Sequence, residues 1–195
     1  MPTPIDRATA WELLTEWVQS ESLRKHCLAV EASMRAVARE RGEDEELYGV
    51  TGLLHDLDYE QFPDLETGHP RKVIALLEER DADPAVIHAI TAHAPYLGVA
   101  PETDLARALL AVDELSGFVM AVAYVRPEGI HGMTPKSVKK KLKTPAFAAA
   151  VSRDDVAQGP ELLGVELDDL IRLVIGALEA DADALALNGK AAAAE

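Results

Sequence analysis

Apolar residues recur at steps of three and four along almost the whole chain, and this spacing constrains the fold more than any other feature. One such stripe consists of Leu23, His26, Cys27, Val30, Met34 and Val37. Steps of three and four place side chains on one face of a helix. Hydrophobic residues make up 48% of the chain but aromatic residues only 5%, and β-branched runs are scarce. The spacing and the composition therefore predict an all-α fold.

Turn residues divide this pattern into nine predicted helices. The helices are expected over about 7–19, from Ser22 as N-cap to Gly42, over 45–55, 71–80, 84–93 and 102–125, from Thr134, from Ser152 and over 167–178. Asp83-Pro84 is typical of a helix start, because Asp caps free N–H groups and proline suits the first helical position. Pro63, Gly68 and Pro70 indicate a loop between the third and fourth helices.

The chain has 195 residues, enough for one substantial core. No candidate linker is long enough to require two domains. We predict a single domain over 1–183, with a core at about 20–125 and a C-terminal helical extension at about 126–183. The Ala-rich segment 184–195 has no apolar partner face in the sequence, so we expect a disordered tail there.

The formal net charge is −15. Such a surface repels nucleic acids and anionic membranes, so neither is an expected partner, although a local cationic site could still hold a small anionic substrate. The first residues lack the basic flank and apolar run of a signal peptide, and no stretch is apolar enough to span a bilayer. We expect a cytoplasmic protein of undefined oligomeric state. The single cysteine, Cys27, is interpreted as a buried thiol because it lies on an apolar stripe.

Six side chains that can bind metal stand out. They are His26, His55, Asp56, His69, His93 and Asp113. Asp113 follows Leu109 by four residues and therefore faces the core, where a lone carboxylate would suffer a large desolvation penalty unless a cation were present. A mixture of imidazole and carboxylate ligands suits Mn, Fe, Co, Zn or Mg, and the lack of thiolates argues against a structural zinc site.

The order of these residues resembles the H…HD…H…H…D signature of the HD superfamily of metal-dependent phosphohydrolases. The phrases GLLHDLD at His55-Asp56, GHP at His69 and AVDEL at Asp113 carry the resemblance, which covers about residues 20–125. It implies an HD-domain helical bundle with additional C-terminal helices and a centre with two divalent metal ions. In members with two metals the Asp of the HD pair bridges the ions. The same role here falls to Asp56, with His26, His55 and Asp113 completing one site and His69 and His93 serving the second.

Four other residues leave alternatives open. His88 competes with His93, but His93 lies nearer the apolar face of its helix, so we prefer His93. Asp58 and Glu60 either orient a ligand imidazole or are solvated loop charges. His131 lies in a glycine-flanked loop, where a surface histidine is expected more often than a substrate contact.

A basic segment interrupts the acidic sequence. Lys136, Lys139, Lys140 and Lys143 share one predicted helical face, and Arg126 precedes them. These five residues are either a phosphate-attracting, substrate-binding rim near the metals or a solvated surface that pairs with acidic groups.

The resemblance implies hydrolysis of a phosphate ester or anhydride in a small phosphorylated metabolite or nucleotide, with His55 and Asp56 as catalytic residues and metal-activated water as nucleophile. Two alternatives remain. The same ligands would suit a di-iron HD-type oxygenase, and a degenerate HD domain could be a non-catalytic module that binds a nucleotide or a partner protein.

Overall fold

The computed structural model describes residues 5–190, and within that range its α-helices and 3₁₀ helix are the only regular elements, which confirms the predicted all-α fold. The helices are α1 (Arg7–Trp17), α2 (Glu21–Arg41), α3 (Glu45–Leu54), α4 (Arg71–Glu79), α5 (Pro84–Ala92), α6 (Asp104–Tyr124), α7 (Pro135–Leu142), α8 (Arg153–Leu163) and α9 (Leu167–Ala180), with a short 3₁₀ helix at Pro95–Leu97. None of these helices is both long and apolar enough to cross a membrane.

Side chains with capping oxygens fix most of the helix starts. Asp83 accepts from the N–H of Ala85 at the start of α5, and Gly42, with a φ of 71°, ends α2 in the left-handed conformation. The prediction that Ser22 caps α2 is wrong. Ser20 is the cap, because its hydroxyl reaches the N–H of Leu23, whereas Ser22 already lies inside the helix.

The two 21-residue helices α2 and α6 form the centre of the fold. Helix α2 packs against α3, α6 and α9, and α6 also packs against α5 and α8. A hydrogen bond of 2.8 Å between the buried hydroxyls of Ser33 and Ser116 joins the two central helices. One apolar cluster surrounds α6 and the C-terminal helices, and the other lies among α1, α3, α4 and α5. Side chains of α2 contribute to both, so the inward residues of α2 and α6 lie at the middle of the molecule.

Residues 184–190 are packed, which makes the prediction of a disordered tail from residue 184 wrong for this part. Leu185 and Leu187 are almost completely buried. The N–H of Ile130 donates to the carbonyl of Leu187 at 2.8 Å, and the hydroxyl of Tyr124 donates to the carbonyl of Leu185 at 3.1 Å. Two leucines are therefore enough to anchor the segment, while residues 191–195 lie outside the described part of the chain.

Cys27 is fully buried in α2, as the sequence predicts. Burial, followed by the nearby carboxylates of Asp56 and Asp113, raises the pKa of this thiol well above its usual range. The thiol therefore stays protonated and acts as an apolar packing group.

Candidate metal centre

The six predicted ligands meet at one place although they come from different parts of the chain. Helices α2 and α6 supply His26 and Asp113. His55 is the C-cap residue of α3 and Asp56 follows it, while His93 is the C-cap residue of α5. The ends of α3 and α5 therefore position His55, Asp56 and His93. His69 lies in the loop between α3 and α4.

Glycine brings His69 into position. A Cβ added at Gly68 would lie 2.2 Å from the carbonyl oxygen of Phe62, so only glycine allows this close approach of the backbone. The N–H of His69 then donates to the same carbonyl at 2.7 Å. The short phrase Gly68-His69 thus folds the loop back on itself and holds the imidazole against Asp56.

One carboxylate oxygen of Asp56 faces the first group of ligands. Its Oδ2 lies 3.8 Å from Nε2 of His26 and 3.5 Å from Nε2 of His55. Asp113 completes this group, with its Oδ1 at 3.0 Å from Nε2 of His26 and 3.3 Å from Nε2 of His55. The imidazoles of His26 and His55 therefore each lie close to both carboxylates, Asp56 and Asp113.

The other oxygen of Asp56 faces the second group. Its Oδ1 lies 3.5 Å from Nε2 of His69 and 3.7 Å from Nε2 of His93. The donor atoms of His26, His55 and Asp56 lie within 4.8 Å of one another, and so do those of Asp56, His69 and His93. Asp56 is thus shared by two groups of potential ligands, one at each of its oxygens.

Backbone carbonyls orient two of the imidazoles. Nδ1 of His55 bonds the carbonyl of Gly52 at 2.7 Å, and Nδ1 of His93 bonds the carbonyl of Ile90. A carbonyl oxygen only accepts, so Nδ1 carries the proton in both rings. In each neutral imidazole the lone pair is then on Nε2, the atom that faces Asp56, which is the tautomer that a metal ligand requires.

Asp58 orients the third imidazole, His69. Its side chain is fully buried, and its Oδ1 accepts from Nδ1 of His69 at 2.7 Å. Its Oδ2 accepts from the N–H groups of Lys72 and Val73, both at 2.9 Å, in the first turn of α4. The positive end of the α4 dipole therefore stabilises the carboxylate of Asp58, which in turn orients the imidazole of His69. Of the two interpretations left open for Asp58, the orienting role is the one that the structure supports.

Glu60 has a different role from Asp58. Its Oε2 accepts from the N–H groups of Gln19 and Ser20, at 2.8 and 2.9 Å, just before α2. It makes no hydrogen bond or ion pair with any of the six candidate ligands. Glu60 therefore supports the start of α2 and does not orient an imidazole.

The cluster has the chemistry of a site for divalent cations. Nε2 of His55 is buried and lies 3.3 Å from Oδ1 of Asp113, but it has the geometry of a hydrogen bond neither to this oxygen nor to any other described residue. Leaving a buried polar atom without a partner is costly, and coordination to a cation would satisfy it. Four imidazoles and two carboxylates suit Mn, Fe, Co or Zn. The residues present therefore fit divalent metal ions, and the shared Asp56 offers room for two.

The pKa values of the cluster also show that its two carboxylates require a positive charge nearby. Burial alone would lower the pKa of His55, but the carboxylates of Asp56 and Asp113 outweigh it and raise the pKa to about 10. Burial alone would raise the pKa of Asp56, yet His55, and after it His93, hold that pKa well below its usual range. Without metal, protonated imidazole supplies the positive charge that the two carboxylates require.

A cavity of 390 Å³ opens from the ligands to solvent. Tyr59 and Tyr96 line it, and the hydroxyl of Tyr96 donates to the carbonyl of His69 at 3.0 Å. Glu114 also lines it and accepts from the N–H of Ser152 at 3.1 Å. Burial, with the neighbouring carboxylate of Asp113, raises the pKa of Glu114 to about 7. A larger cavity of 680 Å³ lies between α2 and α9 but contains none of the six ligands.

The predicted basic rim does not reach this cavity. Its lining includes none of Arg126, Lys136, Lys139, Lys140 and Lys143. Lys139 pairs with Asp168 of α9, and the guanidinium of Arg126 donates to the carbonyls of Gly129 and His131. Of the two interpretations of the basic segment, the structure favours pairing with acidic groups, because Lys139 of α7 pairs with Asp168 in the first turn of α9.

Neither of the other two histidines joins the cluster. His131 is exposed and lies between Glu179 and Asn188, at 3.1 and 2.8 Å. His88 lies outside both ligand groups, although its Nε2 is buried and has no partner in the described part of the chain. The structure therefore brings His93, and not His88, to Asp56.

The fold and the site together define a class: an all-helical protein that gathers four histidines and two aspartates around one shared carboxylate. Residues 23–117 match the family model of the HD domain, which identifies this segment, just under half of the chain, as an HD domain. The matched range contains all six candidate ligands and confirms the resemblance read from the sequence. No curated protein and no solved structure matches the chain. Proteins of the HD family are generally metal-dependent phosphohydrolases that bind divalent metals.

Proposed function

We propose that the protein is a metal-dependent hydrolase that cleaves a phosphate ester or anhydride in a small phosphorylated metabolite or nucleotide. The observation that carries this proposal is the position of Asp56, whose Oδ1 and Oδ2 each face a separate group of imidazoles. Such an arrangement suits two cations held a short distance apart. When bound, divalent ions in such a site activate water and neutralise charge on the phosphoryl oxygens.

The protein side chains would divide the work of holding and orienting. His26, His55 and Asp113 would hold one ion, and His69 and His93 the other, with Asp56 fixing the separation between them. Gly52, Ile90 and Asp58 keep the imidazoles in the required tautomer. Leu110 and Val151 add apolar surface to the cavity beside the candidate ligands. Catalysis would thus rest on preorganised positions and charges.

Metal analysis combined with a phosphatase screen tests this function. Anaerobically purified protein is analysed for metals and then assayed on small phosphate esters and nucleotides with Mn²⁺, Co²⁺, Mg²⁺ and Fe²⁺. Asp56→Ala should abolish both metal content and turnover, while Asp154→Asn, an exposed change on α8, should leave both intact. Turnover that survives in Asp56→Ala contradicts the proposal.

The same experiment separates the two alternative functions. A mixed-valent iron pair without phosphatase activity would identify a di-iron oxygenase, for which the nitrogen and oxygen ligand set is equally suitable. Retention of nucleotide or partner binding without metal or turnover would identify a non-catalytic module. Five of the candidate ligands form the two groups around Asp56, and Asp113 lies beside His26 and His55, which counts against this last function.

A further inference from the structure

The mouth of the metal cavity is unusually apolar. Tyr59, Leu65 and Tyr96 line it, and their side chains remain 46%, 48% and 45% exposed. They are three of the six large hydrophobic residues that are exposed in the described part of the chain. Exposed apolar side chains grouped around a concave site are typical of ligand contacts. Tyrosine rings in particular pack against another ring in offset-stacked or edge-to-face arrangements.

Apart from its histidines, the ionisable side chains that line the cavity at neutral pH are all acidic. Its lining contains the carboxylates of Asp56, Asp113, Glu114 and Asp155, and no lysine or arginine from residues 5–190. Two divalent cations carry four positive charges, which would balance the carboxylates of Asp56 and Asp113 and the two negative charges of one phosphoryl dianion. Asp155 lies beyond this balanced set. A second anionic group on a ligand would therefore meet the carboxylate of Asp155 without a cation in the cavity to receive it.

From these two features we infer that the substrate is a phosphate monoester whose organic part is apolar, preferably aromatic, and carries no further negative charge. This inference rests on the proposed hydrolase function. It narrows the substrate class so that nucleoside di- and triphosphates are excluded. The phosphoryl group lies at the metal ligands, the apolar part lies against Tyr59, Leu65 and Tyr96, and Asp155 disfavours anions at the far end of the ligand.

Binding of aryl phosphonates tests the inference independently of turnover. Phenylphosphonate is compared with its para-carboxylate and para-aminomethyl derivatives by calorimetry on Mn²⁺-loaded protein. The para-carboxylate should weaken binding about fivefold, which is the effect of two like charges about 4 Å apart in water. The para-aminomethyl group should strengthen binding. Methylphosphonate, which lacks the ring, should bind more weakly than phenylphosphonate.

Two matched pairs of variants assign these effects to residues. Asp155→Asn should remove most of the difference between the carboxylate and aminomethyl ligands, while Asp154→Asn, in the same helical turn but exposed and outside the cavity, should not. Leu65→Ala should reduce the preference for phenylphosphonate over methylphosphonate about threefold through lost apolar contact. Val125→Ala, at an exposed apolar side chain outside the cavity lining, should not change it.

The outcomes separate the two proposals. Hydrolysis of phosphate esters, together with equal binding of the charged and uncharged phosphonates, would overturn the inference and leave the hydrolase function standing. An equal effect of Asp154→Asn and Asp155→Asn would also overturn it, because the charge effect would not come from the cavity. If no phosphonate binds and no ester is hydrolysed with any of the four metals, both proposals fail.

Discussion

Replacing Asp58 with asparagine should weaken metal binding on the His69–His93 side of the cluster and leave the other side intact. In the wild-type protein Asp58 accepts three hydrogen bonds, one from the imidazole of His69 at 2.7 Å and two from backbone N–H groups of α4 at 2.9 Å. Asparagine has one oxygen in place of two. If that oxygen keeps the N–H groups of α4, the amide NH₂ faces Nδ1 of His69.

The consequence for His69 follows from its tautomer. An NH₂ group donates, so Nδ1 of His69 would become the acceptor and the ring proton would move to Nε2, the atom that faces Asp56. A protonated Nε2 cannot bind a metal. Loss of such an orienting carboxylate typically lowers metal affinity about 10- to 100-fold. The bonds from α4 would then end on a neutral oxygen in place of a carboxylate, which should also destabilise the fold by about 1–3 kcal/mol.

Calorimetric titration with Mn²⁺ measures the effect. Asp58→Asn should retain one tight binding event and weaken the second at least tenfold. Glu60→Gln is the matched control, because Glu60 also accepts two backbone N–H bonds at a helix start but makes no hydrogen bond to a candidate ligand. Two binding events of wild-type affinity in Asp58→Asn would refute the argument that Asp58 sets the tautomer of His69.

Three further predictions follow from the same structure. Metal binding at pH 7 should release about one proton per chain, because His55 has a pKa of about 10 without metal and must lose its proton to bind. Calorimetric titrations in buffers of different ionisation enthalpy count this proton, and a binding enthalpy that is the same in all buffers would contradict the prediction. In protein freed of metal by a chelator, the raised pKa of His55 stabilises the fold fully below pH 6.5, and this stabilisation is lost as the pH rises to 10. The Tm of the metal-free protein should therefore fall over this range, whereas the Tm of His55→Gln should not. Leu187→Ala should cost about 2–5 kcal/mol in urea unfolding because the side chain is buried, whereas Val125→Ala should cost less than about 0.5 kcal/mol, and equal costs would show that the C-terminal segment is not packed.

The sequence was sufficient to predict the helices and to single out the side chains on them that the structure brings together. His26 and Asp113 occupy apolar faces of α2 and α6, where a polar side chain requires a partner, and the spacing of apolar residues reveals those faces. His55-Asp56 ends α3, and the order of the remaining histidines carries the resemblance to the HD superfamily. Local pattern and motif order therefore predict the six residues that the structure brings together.

The features that escaped prediction depend on contacts between distant parts of the chain. Nothing adjacent to Asp58 shows that its carboxylate meets the N–H groups of α4, 14 and 15 residues later. The basic face of α7 looks suited to phosphate until the fold places Lys139 beside Asp168. Leu187 appears isolated in an Ala-rich segment, and only the fold brings Ile130 to its carbonyl. Periodicity identifies faces, but it does not identify which elements meet.

The central claim is that Asp56 is shared by two metal ions, and anomalous X-ray scattering tests it most directly. Crystals of the protein grown with Mn²⁺ are measured on both sides of the manganese absorption edge. The structure predicts two anomalous peaks that flank Asp56, one in contact with His26, His55 and Asp113 and the other in contact with His69 and His93. Peaks that lie elsewhere, or a single peak without contact to Asp56, would contradict the claim.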